Sequence, residues 1–235
     1  MFRESNGRSI VKTISWRLLA TLTTAAIVYA FTGKLNVALA VGGIEVLLKL
    51  VLYYFHERTW NKISYGKKEI IPKVIWLTGL SGSGKSTIAE GLYKKIQSRG
   101  LKVEYLDGDR VRNIFPKTGF SKEERDRHVK RIGFLASMLE KNGVIVVAAF
   151  ISPYEESRKF VRDLCNNFIE VHVSTPLEEC KRRDIKGLYA RAEKGEIKNF
   201  TGIDDPYEVP LQPELRIDTT NITVDEAVNR INSIV

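Results

Sequence analysis

A short glycine-rich segment constrains the fold and chemistry of this chain more than any other feature. Residues 79–86 read Gly-Leu-Ser-Gly-Ser-Gly-Lys-Ser and match G-x-x-x-x-G-K-[ST], the phosphate-binding P-loop pattern. The apolar run Val74–Thr78 before it predicts a buried strand, and Thr87–Gln97 after it predicts an amphipathic helix. This order directs backbone N–H groups and a helix N-terminus at one anion. We therefore predict a nucleoside triphosphate site and disfavour the alternative, an ordinary Gly/Ser loop.

The residues of the P-loop have separate expected tasks. Its glycines let the chain curl closely around phosphate, Lys85 reaches the β and γ oxygens, and the Ser86 hydroxyl can bind Mg²⁺. ATP is the expected phosphoryl donor. The predicted ATP-binding residues of this segment are Gly79, Leu80, Ser81, Gly82, Ser83, Gly84, Lys85, Ser86 and Thr87.

The net charge is concentrated in the N-terminal part of the chain. Residues 1–68 hold ten Lys and Arg against three Asp and Glu, whereas the other residues hold 27 against 25, within a total of +9 over 235 residues. A basic excess outside the nucleotide-binding part argues against nucleic acid as a partner and favours anionic membrane lipid. Cys165 and Cys180 have neither C-x-x-C nor zinc spacing, so we expect reduced cytosolic thiols.

Two uncharged apolar stretches precede the P-loop. They are Leu18–Phe31 and Leu35–Ile44, with the turn Thr32-Gly33-Lys34 between them. Extended to Phe55, the second stretch is about long enough, at ~1.5 Å per residue, to cross a ~30 Å hydrocarbon core. No small-residue cleavage site follows, so a signal peptide is not expected. We predict an α-helical transmembrane hairpin over residues 1–65, with a soluble helical hairpin as the alternative.

The hairpin contains a few charged and small residues that predict its packing. Glu45 and Lys49 are four residues apart and share a helix face. Together with Arg17 we expect them on the side that holds both termini, where they pair or snorkel. Ala38 and Gly42 predict a close approach of the two helices.

Flanking charges predict the orientation of the hairpin. Only Lys34 lies in the turn, whereas basic residues lie on both outer sides: Arg3, Arg8, Lys12, Arg17, Arg58, Lys62, Lys67 and Lys68. The positive-inside rule then puts both termini in the cytoplasm. We therefore predict a two-pass protein of the cell membrane with its ATP-binding domain on the cytoplasmic side.

Strand and helix candidates alternate over residues 70–235, which we predict to be the second domain. The strand candidates are Val74–Thr78, Val103–Leu106, Val144–Phe150, Phe168–Val173 and Leu215–Asp218, and the main helix candidates are Ser121–Asn142 and Tyr154–Asn166. This alternation predicts an α/β fold, a P-loop kinase with a parallel five-stranded sheet covered by helices on both faces. Ligands of such sheets bind beyond the carboxyl ends of the strands.

Two carboxylates follow the second predicted strand, in Leu106-Asp107-Gly108-Asp109. For transfer to a hydroxyl, one Asp can accept the proton while the other orients Mg²⁺. The third predicted strand has no terminal Asp, so this pair must supply the carboxylate for the metal. We assign Asp107 as general base and Asp109, with Ser86, to the metal, and leave the reverse open. An Asp-Gly turn that only links strand to helix is the alternative.

A basic cluster follows the fourth predicted strand. It consists of Lys181, Arg182, Arg183, Lys186 and Arg191. Such a cluster is typical of a lid that neutralises the transferring phosphoryl group and excludes water, and we assign Arg183 to ATP binding. A solvated charged helix explains the same residues equally well.

Residues 70–235 closely resemble the adenylylsulfate kinases. The motifs occur in the family's order: GLSGSGKST at 79–87, LDGD-x-VR at 106–112, GFS at 119–121, FISPY at 150–154, DxKGLY at 184–189 and NFTGIDDPYE at 199–208. The resemblance implies ATP- and Mg²⁺-dependent phosphorylation of the ribose 3′-hydroxyl of adenosine 5′-phosphosulfate (APS), giving 3′-phosphoadenylylsulfate and ADP for sulfate assimilation. The family is often dimeric, which leaves a homodimer open. The hairpin resembles a two-helix membrane family of unknown function.

The resemblance also implies roles for residues that bind the nucleotide substrate. Phe120 and Phe200 correspond to the aromatic pair that encloses the adenine, a contact suited to flat rings. Arg112 and Arg125 correspond to arginines that hold the phosphosulfate, where a planar fork suits paired oxygens.

Three further positions are implied on the substrate side. Lys186 corresponds to the lysine of the KGLY motif, and Ile151 and Ser152 line the site. Ser152 matches the serine described in the family as a phosphoserine intermediate. No neighbour of Ser152 in the sequence is an evident base that could activate its hydroxyl, so we expect direct in-line transfer.

Two residues depart from the family pattern. Arg110 and His128 stand where the family usually has Asn, and the second of these Asn residues contacts the substrate nucleotide. A histidine cannot present an amide donor and acceptor together, although it could equally be structural. The main alternative is therefore the same chemistry on another activated nucleotide, used in surface-polysaccharide modification. A non-catalytic nucleotide-binding membrane scaffold is a third hypothesis.

Overall fold

The computed structural model describes residues 6–62, 71–114 and 119–235. The chain divides into two compact units, residues 1–69 and 70–235, and each is described by itself below. Of the basic residues that predict the membrane orientation, Arg3, Lys67 and Lys68 lie outside the described residues.

The N-terminal unit is a hairpin of two long helices, α1 (Asn6–Thr32) and α2 (Leu35–Lys62). Gly33 joins them with a φ of 66°, a left-handed value that favours glycine, and its N–H donates to the carbonyl of Tyr29 at 2.8 Å. The predicted turn is therefore present. Ile14–Thr32 and Leu35–His56 are long and apolar enough to cross a membrane.

Small residues form the contact between the two helices, as predicted. Ala38 is buried, and a side chain added at Gly42 would lie 3.6 Å from the Cγ2 of Thr21 on α1. A residue larger than alanine at either position would push the helices apart. The apolar residues on the outer faces of the described hairpin are exposed.

The charged residues of the hairpin only partly follow the expectation. Lys49 donates to Oε1 of Glu45, as their spacing predicts, and Thr24 Oγ1 donates to the same carboxylate oxygen at 3.1 Å. Arg17 has a different neighbour, because its guanidinium lies over the ring of Tyr53 at 5.9 Å.

The second unit contains a five-stranded parallel sheet, which confirms the predicted fold class. Its strand order is β2-β3-β1-β4-β5, with the P-loop strand in the centre. The strands are β1 (Val74–Thr78), β2 (Val103–Asp107), β3 (Ile145–Ala149), β4 (Phe168–Val173) and β5 (Leu215–Ile217). Because every pair of neighbouring strands is parallel, the connections between them are crossovers, and their helices cover the sheet on both faces.

Side chains of the central strand alternate between two hydrophobic cores. Ile75 and Leu77 pack with α3 (Lys85–Ser98) and α9 (Val224–Asn232). Val74 and Trp76 belong to a second cluster, together with side chains of α5 (Lys122–Lys141) and α6 (Glu155–Leu164). Each fully buried aliphatic side chain contributes about 1.5–3 kcal/mol, so this strand is a rigid support for the P-loop that follows it.

Helix and strand ends differ from the predictions by a few residues. The strand expected at 144–150 spans 145–149, and the helix expected at 154–166 spans 155–164. The helix after the P-loop begins at Lys85, two residues earlier than predicted, because Gly84 adopts a φ of 95° and caps it. Lys85 and Ser86 therefore lie in the first turn of α3, where helix N–H groups are free to bind an anion.

The remaining helices are short and lie around the ends of the strands. They are α4 (Gly108–Ile114), α7 (Leu177–Arg183) and α8 (Leu188–Glu193). The basic segment predicted as a lid thus forms two helices, and Gly187, with a φ of 63°, caps the second.

Candidate active site

Two P-loop glycines occupy backbone positions that other residues tolerate poorly. Gly79 has a φ of 152°, and a Cβ at this residue would lie 2.4 Å from the carbonyl oxygen of Val173 at the end of β4. Gly84 has a φ of 95°. The first glycine lets the loop pass closely over the sheet, and the second turns the chain into α3.

Lys85 is buried beneath the P-loop. Its Nζ donates to the carbonyl oxygen of Leu80 at 2.6 Å and to Ser83 Oγ at 3.4 Å. Burial lowers the pKa of this ammonium to about 8, because the charged form loses hydration. The oxygens of a bound phosphate would provide an anionic partner for the Lys85 ammonium.

Ser86 and Asp107 meet at the carboxyl end of β2. Ser86 Oγ donates to Asp107 Oδ2 at 3.0 Å, and the hydroxyl of Tyr105 donates to the same oxygen at 2.9 Å. The backbone N–H groups of Asp109 and Arg110 donate to Oδ1 at 3.1 and 3.2 Å. Both oxygens of Asp107 are therefore held in place.

These hydrogen bonds keep Asp107 ionised. Burial alone would raise its pKa, but the hydrogen bonds from Tyr105, Ser86 and the two backbone amides outweigh burial and lower it. A carboxylate with a lowered pKa is a weak proton acceptor.

Asp109 has a different environment from Asp107. It pairs with Lys186, from the segment between α7 and α8, and the two side chains are 72% and 62% exposed. Asp107, rather than Asp109, therefore lies beside Ser86. This geometry favours the reverse of our preferred assignment, with Asp107 at the metal and Asp109 at the substrate.

The donor atoms at Ser86 and Asp107 fit Mg²⁺. A hydroxyl and a carboxylate oxygen 3.0 Å apart are hard ligands, and Mg²⁺ commonly takes one or two protein oxygens together with phosphates and water. Among the described residues no cluster of three or more His, Cys, Asp or Glu could hold a metal alone. The triphosphate would therefore have to supply further ligands.

The basic residues of the predicted lid are mostly neutralised by nearby acids. Lys181 pairs with Glu193, Arg182 with Glu179, and Arg191 with Glu196. These three pairs correspond to the alternative interpretation, a charged solvated surface. Arg183 also pairs with Glu179, at 2.8 Å, but in addition it contacts Thr219 beside the P-loop, and Lys186 pairs with Asp109.

Arg183 is held next to the P-loop by a threonine that sequence reasoning missed. Its guanidinium donates to the side-chain and backbone oxygens of Thr219 at 2.7 and 2.9 Å. Thr219 Oγ1 in turn donates to the carbonyl of Ser83 at 3.0 Å. The position of Arg183 is compatible with the predicted contact to ATP.

Arg125 is engaged by the segment that contains the NFTGIDDPYE motif. Its guanidinium is buried, donates to Asp205 at 2.8 Å, and also donates to Thr201 Oγ1 and to the carbonyl of Asn199. This arrangement fastens the motif to α5. The contact with phosphosulfate stays a prediction, and the guanidinium already has three protein partners.

Arg112 and the two phenylalanines lie in different surroundings. The Arg112 guanidinium lies 4.7 Å from the ring centre of Phe120 and donates to the carbonyl of Gly119 at 2.7 Å. Phe120 is 58% exposed, so its ring is accessible to a stacking ligand. Phe200 is buried and packs edge-to-face on Tyr189, with 5.0 Å between ring centres.

Ser152 is buried in a hydrogen-bond network beside Ile151. Its hydroxyl accepts from Trp76 Nε1 at 3.0 Å and donates to Thr78 Oγ1 at 2.9 Å, and Thr78 donates to the carbonyl of Ile151 at 2.8 Å. Its backbone φ of 38° is unusual for a residue other than glycine. The contacts position Ser152 structurally, and none of them is to a general base.

His128 is buried on α5, and its ring lies edge-to-face on Phe150 with 6.0 Å between ring centres. Burial, assisted by the charges of Arg112 and Arg131, lowers the pKa of His128 to about 4. The imidazole is therefore neutral at physiological pH. The structural interpretation of this histidine agrees with these observations.

Sequence reasoning also missed Arg158, which connects the loop after β3 to the segment of residues 199–208. The buried guanidinium donates to the carbonyl oxygens of Ser152 at 2.7 Å and Glu208 at 2.8 Å, and it forms an ion pair with Glu170 at 2.9 Å. The position of Arg158 in the sequence, on a helix six residues after Ser152, does not predict these contacts. They form only when the folded chain brings residues 199–208 next to the sheet.

Comparisons with known proteins agree with this architecture. The adenylylsulphate kinase family matches residues 71–218, and a predicted membrane protein family (DUF2061) matches residues 10–61. Adenylyl-sulfate kinases of Rippkaea orientalis and Picosynechococcus are 54% and 51% identical over 158 residues. These alignments cover 67% of this chain and 87% and 89% of the relatives.

Solved structures show the same similarity. The APS kinase of Mycobacterium tuberculosis in complex with AMPPNP and APS has a TM-score of 0.68 and 38% identity, covering 71% of this chain and 98% of that chain. A hexameric APS kinase from Thiobacillus denitrificans has a TM-score of 0.53 and 39% identity, covering 69% of this chain and 28% of that one. On these grounds, and with its intact P-loop, the chain belongs to the adenylylsulfate kinase family and is a kinase.

Proposed function

We propose that this chain transfers the γ-phosphoryl group of ATP to the ribose 3′-hydroxyl of APS. The observation that carries the proposal is the arrangement of the Ser86–Asp107 pair at the P-loop and the Asp109–Lys186 pair two residues further along. The first pair is suited to the metal and triphosphate, and the second to the substrate hydroxyl. The products are 3′-phosphoadenylylsulfate and ADP, as expected for sulfate assimilation.

Each residue of the P-loop has a task in this transfer. Its backbone N–H groups and Lys85 hold the phosphates of ATP and stabilise the charge that develops on the phosphoryl group. Ser86 and Asp107 would hold Mg²⁺, which would supply positive charge next to the triphosphate. Arg183, fixed by Thr219, adds positive charge on the nucleotide side.

Asp109 is the proposed general base. The 3′-oxygen forms a bond to the γ-phosphorus, its proton passes to a carboxylate oxygen of Asp109, and the bond from the γ-phosphorus to the bridging oxygen of ADP breaks. Lys186 must turn from Asp109 towards the incoming substrate for this to occur. Ser152 takes no covalent part, because its buried hydroxyl is already committed to Trp76 and Thr78.

Substitution of the two aspartates separates their roles. We expect Asp109→Asn to lower kcat about 10²–10⁴-fold, the typical contribution of general base catalysis, without changing the Mg²⁺ concentration that gives half-maximal rate. Asp107→Asn should raise that concentration. If Asp109→Asn shifted the Mg²⁺ requirement and Asp107→Asn did not, Asp107 would be the general base and Asp109 the metal ligand.

A panel of acceptor nucleotides tests the substrate. The alternative acceptor is motivated by Arg110, His128 and the membrane hairpin, and burial of His128 against Phe150 weakens the part of the argument that depends on His128. We expect APS to have the highest kcat/KM among nucleotides that carry different 5′-substituents. A higher kcat/KM for another activated nucleotide would reject APS as the natural acceptor.

We further propose that the hairpin spans the cell membrane twice and that both termini and the kinase domain are cytoplasmic. The lengths of the two apolar segments and the basic residues at their outer ends support this orientation. A cysteine in place of Asn36, in a variant with both native cysteines replaced by serine, should react with an impermeant maleimide from outside intact cells. Labelling only from the cytoplasmic side, or release by alkaline extraction, would contradict the topology or the insertion.

A homodimer is the remaining proposal about partners. The APS kinase of Thiobacillus denitrificans is hexameric, which supports self-association of this chain. Light scattering of the purified full chain in detergent measures the mass of the assembly, and a monomer would reject a stable homodimer.

A further inference from the structure

A third hydrophobic cluster lies outside the two cores of the sheet, between the P-loop and the segment of residues 199–208. Its buried members are Cys180 of α7, Tyr189 and Ala192 of α8, and Phe200. The P-loop residue Leu80 packs against it, and a side chain added at Gly202 would lie 3.1 Å from Cδ2 of Leu80. Packing this close means that the P-loop and the 199–208 segment cannot shift far independently of each other.

Tyr189 contacts both of these segments with one buried side chain. Its hydroxyl donates to the carbonyl oxygen of Ser81 in the P-loop at 2.9 Å, and its ring packs edge-to-face on Phe200 with 5.0 Å between ring centres. Burial raises the pKa of the phenol, so the hydroxyl keeps the proton that it donates. The tyrosine therefore connects the P-loop to Phe200 directly.

The backbone of α8 holds Tyr189 in this position. The carboxylate of Asp184 accepts hydrogen bonds from the backbone N–H groups of Tyr189 at 3.1 Å and Ala190 at 3.0 Å. These N–H groups belong to the first turn of the helix, where no carbonyl of the helix itself can accept from them. The place of the tyrosine is therefore fixed by its main chain as well as by the packing of its ring.

The hydrogen bond to Ser81 sets the orientation of one peptide group in the P-loop. A trans peptide is planar, so the N–H of Gly82 points away from the Ser81 carbonyl that Tyr189 holds. Backbone N–H groups of a P-loop are the donors that surround phosphate. A hydrogen bond that fixes this carbonyl therefore also fixes an N–H group that can bind a triphosphate.

Phe200 is held on the other side by its own segment. The carboxylate of Asp204 accepts from the backbone N–H groups of Phe200 and Asn199, the latter at 2.7 Å, and Asn199 has a φ of 56°, which is uncommon outside glycine. The family resemblance predicts that the Phe200 ring encloses the adenine of APS. The position of this ring depends on the Tyr189 ring against which it packs.

We propose that Tyr189 is a positioning residue that couples the binding of the two nucleotides. The inference rests on the proposed function, in which ATP binds at the P-loop and APS binds beside Phe200. Phosphates favour the state in which the Ser81 carbonyl is held, and the adenine of APS favours the state in which the Phe200 ring is supported. Because one side chain makes both contacts, each nucleotide stabilises the arrangement that the other requires, and each raises the affinity for the other.

The coupling is measured as the ratio of two dissociation constants of APS, without and with saturating Mg²⁺ and ADP. ADP occupies the P-loop and has no γ-phosphoryl group to transfer, and titration calorimetry of the full chain in detergent gives both constants. We expect a ratio of about 5–150 for wild type, the usual range of such couplings. Tyr189→Phe keeps the ring and loses one hydrogen bond, so its ratio should be about 2–10-fold lower.

Tyr154→Phe is the matched control. The hydroxyl of Tyr154 donates to Asp205 of the 199–208 segment at 3.0 Å, so this variant loses a tyrosine hydrogen bond on the substrate side and keeps the contact to Ser81. We expect it to change the affinity for APS equally with and without ADP, which leaves the ratio at the wild-type value. Phe200→Leu is a second variant, which keeps the Tyr189 hydroxyl, removes the ring contact and should also lower the ratio.

Two results would overturn the proposal. One is a ratio near one for wild type, and the other is a ratio that Tyr189→Phe lowers no more than Tyr154→Phe does. If Tyr189→Phe did not fold, the ratio for Phe200→Leu would decide, and a wild-type value would reject the coupling. A chain that phosphorylates no APS would reject the proposed function, whereas a chain that phosphorylates APS with equal ratios for wild type and Tyr189→Phe would reject the role of Tyr189 alone.

Discussion

The hydroxyl of Ser86, in the first turn of the P-loop helix, lies 3.0 Å from the carboxylate of Asp107 at the end of β2. This contact joins the first turn of the P-loop helix to the carboxyl end of β2, which is separated from the P-loop strand β1 by β3. The hydroxyl of Tyr105 donates to the same carboxylate oxygen at 2.9 Å. We therefore expect substitutions at Tyr105 and Asp107 to weaken Mg²⁺ binding to different extents.

Loss of the Tyr105 hydroxyl should weaken the metal site without removing it. Tyr105→Phe deletes one hydrogen bond to an ionised group, worth about 1.5–3 kcal/mol, so we expect the Mg²⁺ concentration for half-maximal rate to rise about tenfold. Asp107→Asn should raise it further. Mg²⁺ titration of the rate measures both. Tyr93→Phe is the matched control, because the Tyr93 ring packs beside that of Tyr105 while its hydroxyl accepts a hydrogen bond from the Gln97 side chain at 3.0 Å, and we expect it to behave as wild type. Equal effects of Tyr105→Phe and Tyr93→Phe would contradict the prediction.

Removal of the Ser152 hydroxyl should lower activity only moderately. We expect Ser152→Ala to keep turnover within about tenfold of wild type, because the loss disturbs hydrogen bonds of about 0.5–1.5 kcal/mol each and removes no nucleophile. Its thermal stability should fall, since Trp76 Nε1 loses its partner. Phosphorylation of Ser152 at the rate of turnover would establish a covalent intermediate instead, and complete loss of kcat in a folded Ser152→Ala protein would contradict the expected moderate effect.

The Arg158–Glu170 ion pair should be essential for stability, but only as a pair. Arg158→Met leaves the buried Glu170 with the more distant Arg162, at 3.4 Å, as its ionic partner, and burial already raises the pKa of Glu170. Because breaking a buried pair costs about 3–5 kcal/mol, we expect a loss of stability towards the lower end of that range. We expect the double variant Arg158→Met/Glu170→Leu to regain part of that loss in thermal unfolding. Both the single and the double variant should have a higher KM for APS than wild type, because the carbonyls of Ser152 and Glu208 lose the guanidinium that donates to them. A double variant less stable than Arg158→Met would contradict this prediction.

His128 should make the folded protein sensitive to acid. Its pKa is about 4 in the folded chain and 6.5 in the unfolded chain, so the unfolded state binds the proton more readily between these values. Stability is therefore full above pH 6.5 and falls as the pH decreases towards 4, by up to about 3 kcal/mol.

His128→Asn removes this titration and installs the residue usual in the family. We expect the dependence of the unfolding free energy on pH between 4 and 6.5 to become shallower, measured by urea unfolding at several pH values. His172, also buried with a pKa lowered to about 4, should keep its own contribution, so the slope should decrease and not vanish. An unchanged slope in His128→Asn would show that titration of His128 does not cause the acid sensitivity.

Much of the fold could be predicted because local patterns and global fold agree. The apolar run Val74–Thr78 is long enough for one strand and too short for a helix, and it is fully buried on both sides. Gly33 between two apolar stretches predicted the hairpin turn. Helix ends were less accurate, since the start of α3 at Lys85 depends on the backbone angle of Gly84.

The site was predicted in its composition but not in its contacts. Spacing identified Asp107 and Asp109 together and could not say which of them meets Ser86, because both lie within one turn of a strand end. The backbone of β2 and α4 decides it: both oxygens of Asp107 receive hydrogen bonds, whereas Asp109 points to Lys186. Arg125 likewise matched a motif, and only the folded chain shows that Asp205 engages it.

The amino-acid sequence alone determined that this chain binds a nucleoside triphosphate, has a parallel α/β domain and begins with two apolar helices. These properties depend on residues close together along the chain, such as glycines in a loop or apolar residues at a regular period. Only the tertiary structure decided which carboxylate meets Ser86, that Arg158 joins two loops, and that Thr24 contacts Glu45. Such contacts join residues far apart in sequence, and their geometry depends on how strands and helices pack.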